Sequence, residues 1–235
     1  MSHPSDRRAF RARICHGAPV TTEASTPTIP GRRLLVGLLV VLVCAVVPAI
    51  FVPTLMCRQA DPEIDDFGEL PAFTLTDERG QAFTKDALLG HITVVSFIFT
   101  RCDSICPVTS MKMSTIQEQT FDLGAKIKLL SISIDPTYDT PERLAAYATR
   151  FHADPTRWRF VTGADRSVRT LVEQSFMQNM QLEGKTESGA PNIAHNGYFA
   201  LVDAHGHMRQ SYDSKELPKL DELVRAARFL ARKQL

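Results

Sequence analysis

The stretch 92–107, ITVVSFIFTRCDSICP, decides how the chain is to be read. Its first nine residues, Ile92 to Thr100, are a near-continuous β-branched and aromatic run with no alternation of polar residues. A strand of that composition is expected in the middle of a sheet, buried on both faces. Cys102 follows at its end, and Cys106-Pro107 opens a helical pattern that runs to about Thr120. Two cysteines stand where a buried strand gives way to a helix, a junction at which helix-terminal amides favour thiolate over thiol. At i and i+4 the two sulfurs are expected to share one helical face and converge. Asp103 between them opposes thiolate by its like charge and is expected to act as a helix cap.

Outward from this junction the apolar pattern repeats. Ile127 to Ile134 reads as a second strand, and Asp135-Pro136 as a turn. Asp139, Thr140 and Pro141 make a helix start that should carry the chain to about His152. Trp158 to Val161 reads as a strand and Ser167 to Met180 as a helix. Gly197 to Val202 and Met208 to Tyr212 read as two strands joined at Asp203-Ala204-His205-Gly206, before an amphipathic helix from Leu217 to about Lys233. Upstream, Phe73, Leu75 and Phe83 flank Asp77-Glu78-Arg79-Gly80, a pattern that predicts a β-hairpin. Strand, helix, strand, helix, strand, helix, strand, strand, helix, with a hairpin in front, is the order of an α/β thioredoxin-like fold.

The remainder of the chain is organised around Leu34 to Val52, LLVGLLVVLVCAVVPAIFV, 19 residues without a charge. At ~1.5 Å per residue such a run spans a hydrocarbon core of ~30 Å. Arg7, Arg8, Arg11, Arg13, Arg32 and Arg33 all precede it, so the positive-inside rule keeps the N-terminus cytoplasmic and exports the chain beyond Arg58. The expected organisation is a basic tail (1–33), a single transmembrane anchor (34–53), a linker (54–70) and a folded domain (71–235). Export places that domain in the periplasm of a bacterium, on the inner membrane. Competing readings are a cleaved signal peptide, a lipid-modified Cys57 (which Met56 disfavours), and a mitochondrial presequence leading to the mitochondrial inner membrane.

The 235 residues carry 27 Lys and Arg against 26 Asp and Glu. Beyond residue 57 there are 21 basic and 24 acidic groups, a balance that excludes a nucleic-acid surface. Of five cysteines, Cys15 lies in the tail, Cys44 in the anchor and Cys57 at its outer edge. That leaves one pair for the domain, closing too short a loop to serve as a structural staple. A redox or metal role is the better reading.

Two thiolates make a soft site suited to Cu(I) or zinc, and leave its coordination incomplete. A strand antiparallel to 92–100 begins at the edge where that strand ends, so the loop before Gly197, with His195, is expected beside the cysteines. An S₂N set holds Cu(I) and, with a further ligand, Cu(II). A structural zinc wants a fourth protein ligand that the sequence does not offer. Met111 and Met113 are expected to be core packing. His205 and His207 are expected in solvent, and His91 has no evident partner.

Four segments, FTLTDERGQAFT, VVSFIFTRCDSICP, LLSISIDPTYDTPERLAAYA and IAHNGYFALVDAHG, occur in that order. Together they resemble the SCO/SenC family of copper proteins required for cytochrome c oxidase assembly. The resemblance implies a thioredoxin-like fold, copper as the cofactor, Cys102, Cys106 and His195 as its ligands, and subunit II of the oxidase as partner. Asp135 and Asp139 match the family's Asp-Pro-x-x-Asp-Thr turn, where a mainly structural, capping role is expected of them. The chain departs from the family in having Asp103 where a proline usually follows the first cysteine. Delivery of copper to the oxidase is the first functional reading. Thiol-disulfide reduction of the oxidase's cysteines, with Cys102 as nucleophile and Cys106 as resolving thiol, is the second. A peroxidase is a third, lacking its expected threonine pattern.

Overall fold

The computed structural model describes residues 31–56, 61–176, 182–185, 191–193 and 197–233. They fall into two compact units, divided after residue 59. The first contains one helix, α1 (Gly31–Met56). Its described side chains, 35–49 among them, are exposed apolar residues such as Leu35, Leu38 and Val41. Among the described residues no helix is long and apolar enough to cross a membrane.

The second unit is built on a seven-stranded mixed sheet in the order β2-β1-β5-β4-β3-β8-β9. Its strands are β1 (Thr74–Asp77), β2 (Ala82–Thr84), β3 (Ile92–Ile98), β4 (Ile127–Ser133), β5 (Trp158–Thr162), β8 (Tyr198–Val202) and β9 (Met208–Asp213). A separate antiparallel pair, β6 (Leu182–Lys185) and β7 (Pro191–Ile193), has no counterpart in the sequence reading. The helices are α2 (Ile105–Gln119), α3 (Pro141–Arg150), α4 (Asp165–Ser175) and α5 (Leu217–Lys233). The helix expected over 167–180 thus starts earlier and ends at Ser175; positions 177–180 lie outside the described residues.

Every residue of β3 is buried, as its near-continuous β-branched and aromatic run predicts. It pairs in parallel with β4, Val94 opposite Leu129, and antiparallel with β8, Ser96 opposite Phe199. Its side chains alternate between two cores. Ile92, Val94 and Ile98 join Met113, Ile116, Leu144, Tyr147 and Leu223 under α2, α3 and α5. Val95 and Phe97 join Leu75, Phe83, Val168 and Leu171 under the hairpin and α4. Each such fully buried large apolar side chain contributes about 1.5–3 kcal/mol. Within the first of these cores Ser96 Oγ meets Ser131 Oγ at 2.9 Å, and Trp158 Nε1 donates to the Ser131 hydroxyl at 2.9 Å. The expected hairpin is present, with Gly80 at φ 77° supplying the turn.

Candidate metal and thiol site

The chain leaves β3 at Ile98 and turns sharply, Cys102 N–H donating to the Phe99 carbonyl at 3.2 Å. Cys102 therefore precedes α2 instead of lying on it, and the expectation of a shared helical face is corrected. What brings the sulfurs together is a hydrogen bond: Cys106 N–H donates to Cys102 Sγ at 3.3 Å. That amide is one of the four at a helix start with no partner inside the helix, and the sulfur supplies it. Asp103 is not the cap. Ser104 holds that position, makes no side-chain cap bond, and its hydroxyl lies 3.8 Å from Cys102 Sγ. Asp103 itself is exposed.

Both thiols are free and buried, Cys102 8% and Cys106 2% exposed. The Cys106 thiol hydrogen-bonds to Cys102, and this interaction, opposed by burial and helped by the Cys106 and Ser104 amides, pushes Cys102 down to about 5. The same bond, then burial and the Cys102 charge, pushes Cys106 far up. The reduced pair is a thiolate cradled by amides and held by a neighbouring S–H, which is soft-metal and nucleophile chemistry in one place.

The turn carrying Cys102 is clamped from below. Asp139 is fully buried, accepts from Thr100 N–H at 3.1 and 3.2 Å and from Thr100 Oγ1 at 2.5 Å, and takes a further bond from Ser133 Oγ at 2.6 Å. Burial pushes its carboxyl up against those bonds. Asp135 pairs with Arg101 at 2.6 Å, and the Arg101 and Arg143 guanidiniums stack on Tyr138 at 4.6 and 3.9 Å from the ring centre. Thr140, not either aspartate, caps α3, accepting from Arg143 N–H at 3.4 Å. The capping part foreseen for the aspartates is thus replaced by a tie between the ends of β3 and β4. Sequence reasoning also missed Tyr147, whose hydroxyl meets Ser110 Oγ at 3.0 Å. Burial pushes the tyrosine up, and the charge of the thiols adds to it. Its one sequence signal is its place three residues after Leu144 on the buried face of α3.

His195 lies outside the described residues, as do Cys15 and Cys57. The chain resumes at Gly197, whose carbonyl accepts from Ser214 N–H at 2.7 Å. A Cβ on Gly197 would stand 2.5 Å from Ser214 Oγ, 2.9 Å from Thr109 Oγ1 and 3.2 Å from Ile105 Cγ1. Only glycine permits that approach, so the start of β8 presses on the first turns of α2. Among the described residues no three His, Cys, Asp or Glu side chains group as a metal site.

The remaining candidates separate. Met113 is fully buried as expected, but Met111 is 55% exposed and its packing role is corrected. His207 Nδ1 lies 3.1 Å from both Asp66 oxygens, a partnered residue where a solvated one was expected. His91 is half-buried, and burial together with Lys128 pushes it down. Cys44 is exposed on α1.

Residues 62–229 match the SCO1/SenC family. The SCO1 protein homolog of Bacillus subtilis is 26% identical over 156 residues, 66% of this chain and 79% of that protein. The structure of BsSco, described as a member of the Sco family of cytochrome c oxidase assembly proteins with a disulfide switch, is also 26% identical. It superposes with a TM-score of 0.58 over 72% of this chain and 96% of its own. Bradyrhizobium japonicum ScoI, solved with copper bound, shares the fold at a TM-score of 0.57 and 23% identity, over 69% of this chain and all of its own. A match running through both cysteines, the clamped turn, β8 and most of α5 accounts for the whole folded unit, and the chain belongs to the SCO1/SenC family.

Proposed function

We propose that the domain binds one copper ion through Cys102, Cys106 and His195, and delivers it to the copper site of subunit II of cytochrome c oxidase. The observation that carries this reading is the buried sulfur pair with its thiolate, at the edge where Gly197, two residues after His195, seats against Ile105 and Thr109. Two soft sulfurs and an imidazole suit copper better than zinc, which would want a fourth protein ligand. The copper carried by related Sco proteins and their part in oxidase assembly support the same reading.

A second reading, membrane-anchored thiol-disulfide reduction acting on the oxidase's cysteines, is favoured by the split between the two thiols. Cys102 is ionised at neutral pH and suited to attack, while Cys106 holds its proton as a resolving thiol does. The chain is further proposed to be anchored by Leu34–Val52, with its basic tail in the cytoplasm and its domain in the bacterial periplasm; the mitochondrial inner membrane is the alternative.

His195→Ala separates the two activities. Copper delivery requires this variant to bind Cu(I) more weakly against a chelator and to lose the sulfur-to-Cu(II) charge-transfer band first, imidazole being the ligand that suits the harder ion. Its rate of thiol-disulfide exchange should stay within about threefold of the parent, since that chemistry needs the sulfurs and their amides. Unchanged copper affinity would rule out imidazole ligation and leave the reductase.

A further inference from the structure

At the far end of β3 from the cysteines, roughly 17 Å away along five residues of strand, a second set of groups lacks an assignment. A cavity of about 220 Å³ lies between the sheet and the β1–β2 hairpin, with Thr93, Lys128 and Arg159 among its lining residues. Thr93 is 1% exposed, and its hydroxyl has no hydrogen-bond partner among the described residues. A buried hydroxyl left unmet is destabilising, and natural interiors rarely carry one without a reason.

The charges around the cavity do not cancel. Arg159 is engaged by Asp77 and Glu78, and Glu78 also by Arg79, so those four balance. Lys128 stands directly opposite Thr93 in the β3–β4 register. It is half-buried, and no carboxylate pairs with it among the described residues; His91, itself a base, is the group that feels its charge. Beside this ammonium and hydroxyl, Phe83, Leu88 and Leu130 form one apolar stretch of the wall, and Gln81 and Thr156 add polar groups to the rest. The volume falls below the ~300–1,000 Å³ of drug-sized pockets.

We propose that this cavity binds a short-chain monocarboxylate, its carboxylate on Lys128 Nζ and Thr93 Oγ1 and its alkyl chain against Phe83, Leu88 and Leu130. One negative charge meets the cation left uncompensated at this cavity among the described residues, the hydroxyl gains its acceptor, and the tail takes the apolar stretch of the wall. Neither cysteine takes part, so the site is independent of copper.

The test titrates the full chain with sodium hexanoate and follows the backbone amide resonances of Thr93 and Lys128. Saturable shifts are expected, with an affinity at least fivefold above that for acetate, which lacks the tail, and for 1-hexanol, which lacks the charge. Lys128→Met and Thr93→Val should each weaken hexanoate at least fivefold while Cu(I) affinity stays unchanged. Thr93→Val should also raise the unfolding midpoint of the unliganded protein, because a methyl replaces the unmet hydroxyl. Absence of saturation, hexanol binding as tightly as hexanoate, or undiminished affinity in both variants would overturn the proposal.

Discussion

Cys102 and Cys106 differ in environment more than their spacing suggests. One sulfur accepts an amide and a thiol, the other donates its proton and is sealed at 2% exposure. Only thiolate is alkylated, so the rate for reduced protein should follow Cys102 ionisation, half-maximal near the value of about 5 and level above it. Cys106→Ala removes the largest cause of the shift, and the inflection should then climb toward that of an ordinary thiol. An inflection near 9.0 in the parent, the unshifted value, would contradict the hydrogen-bonded arrangement. Stability carries the matching sign. A thiol depressed on folding contributes stability that is full above its unfolded value and is lost as pH falls through about 5, and urea midpoints of the reduced protein should show that slope. From sequence, the two cysteines and their strand-to-helix setting were legible, because both are local. The hold of Asp139 on Thr100 was not, since the two lie 39 residues apart and no local pattern records that bond.

At the scale of elements, legibility divides the same way. β3 and β4 announce themselves by predominantly apolar, β-branched runs, α3 and α5 by amphipathic period, and each is where the pattern puts it. The β6–β7 pair, LEGK against PNI, carries neither alternation nor β-branched enrichment, and its pairing spans a bulge that no periodicity encodes. The start of α2 lies within one residue of where the pattern puts it; what the cysteine spacing misled was the shared face, because i and i+4 imitates a helical turn while Cys102 sits in the turn before the helix. Contact between α2 and β8 rests on Gly197. Gly197→Ala pushes a methyl into Ser214 and Thr109, and overpacking of this kind costs about 1–3 kcal/mol. If the chain before β8 brings the third copper ligand, this variant should lose Cu(I) affinity at least tenfold while still folded, as measured by chelator competition beside a urea melt. A stability loss with copper affinity untouched would place the ligand elsewhere.

For the molecule as a whole, the two units make separate demands. The folded unit from residue 60 onward is accounted for by its cores, whereas α1 exposes Leu35, Leu38, Leu39 and Val41 together. Covering these side chains with a bilayer is part of the anchoring proposed above, with the arginines before them on its cytoplasmic side. A reporter fused after Leu235 should be active only if it works outside the cytoplasm. Activity of a cytoplasm-dependent reporter there would reverse the orientation.

β3 acquires its two neighbours from very different distances along the chain. Ile92 meets Ile127, but Thr93 meets Val202. Closing the longer loop costs only about 1 kcal/mol more, yet long-range pairings are the slow ones to form. During refolding, the strand that leads to both thiols can be in place beside β4 while β8 is still searching. In that interval the first turns of α2 lack the seat that Gly197 makes on Ile105 and Thr109, so an oxidant that arrives early meets the dithiol before its surroundings are complete.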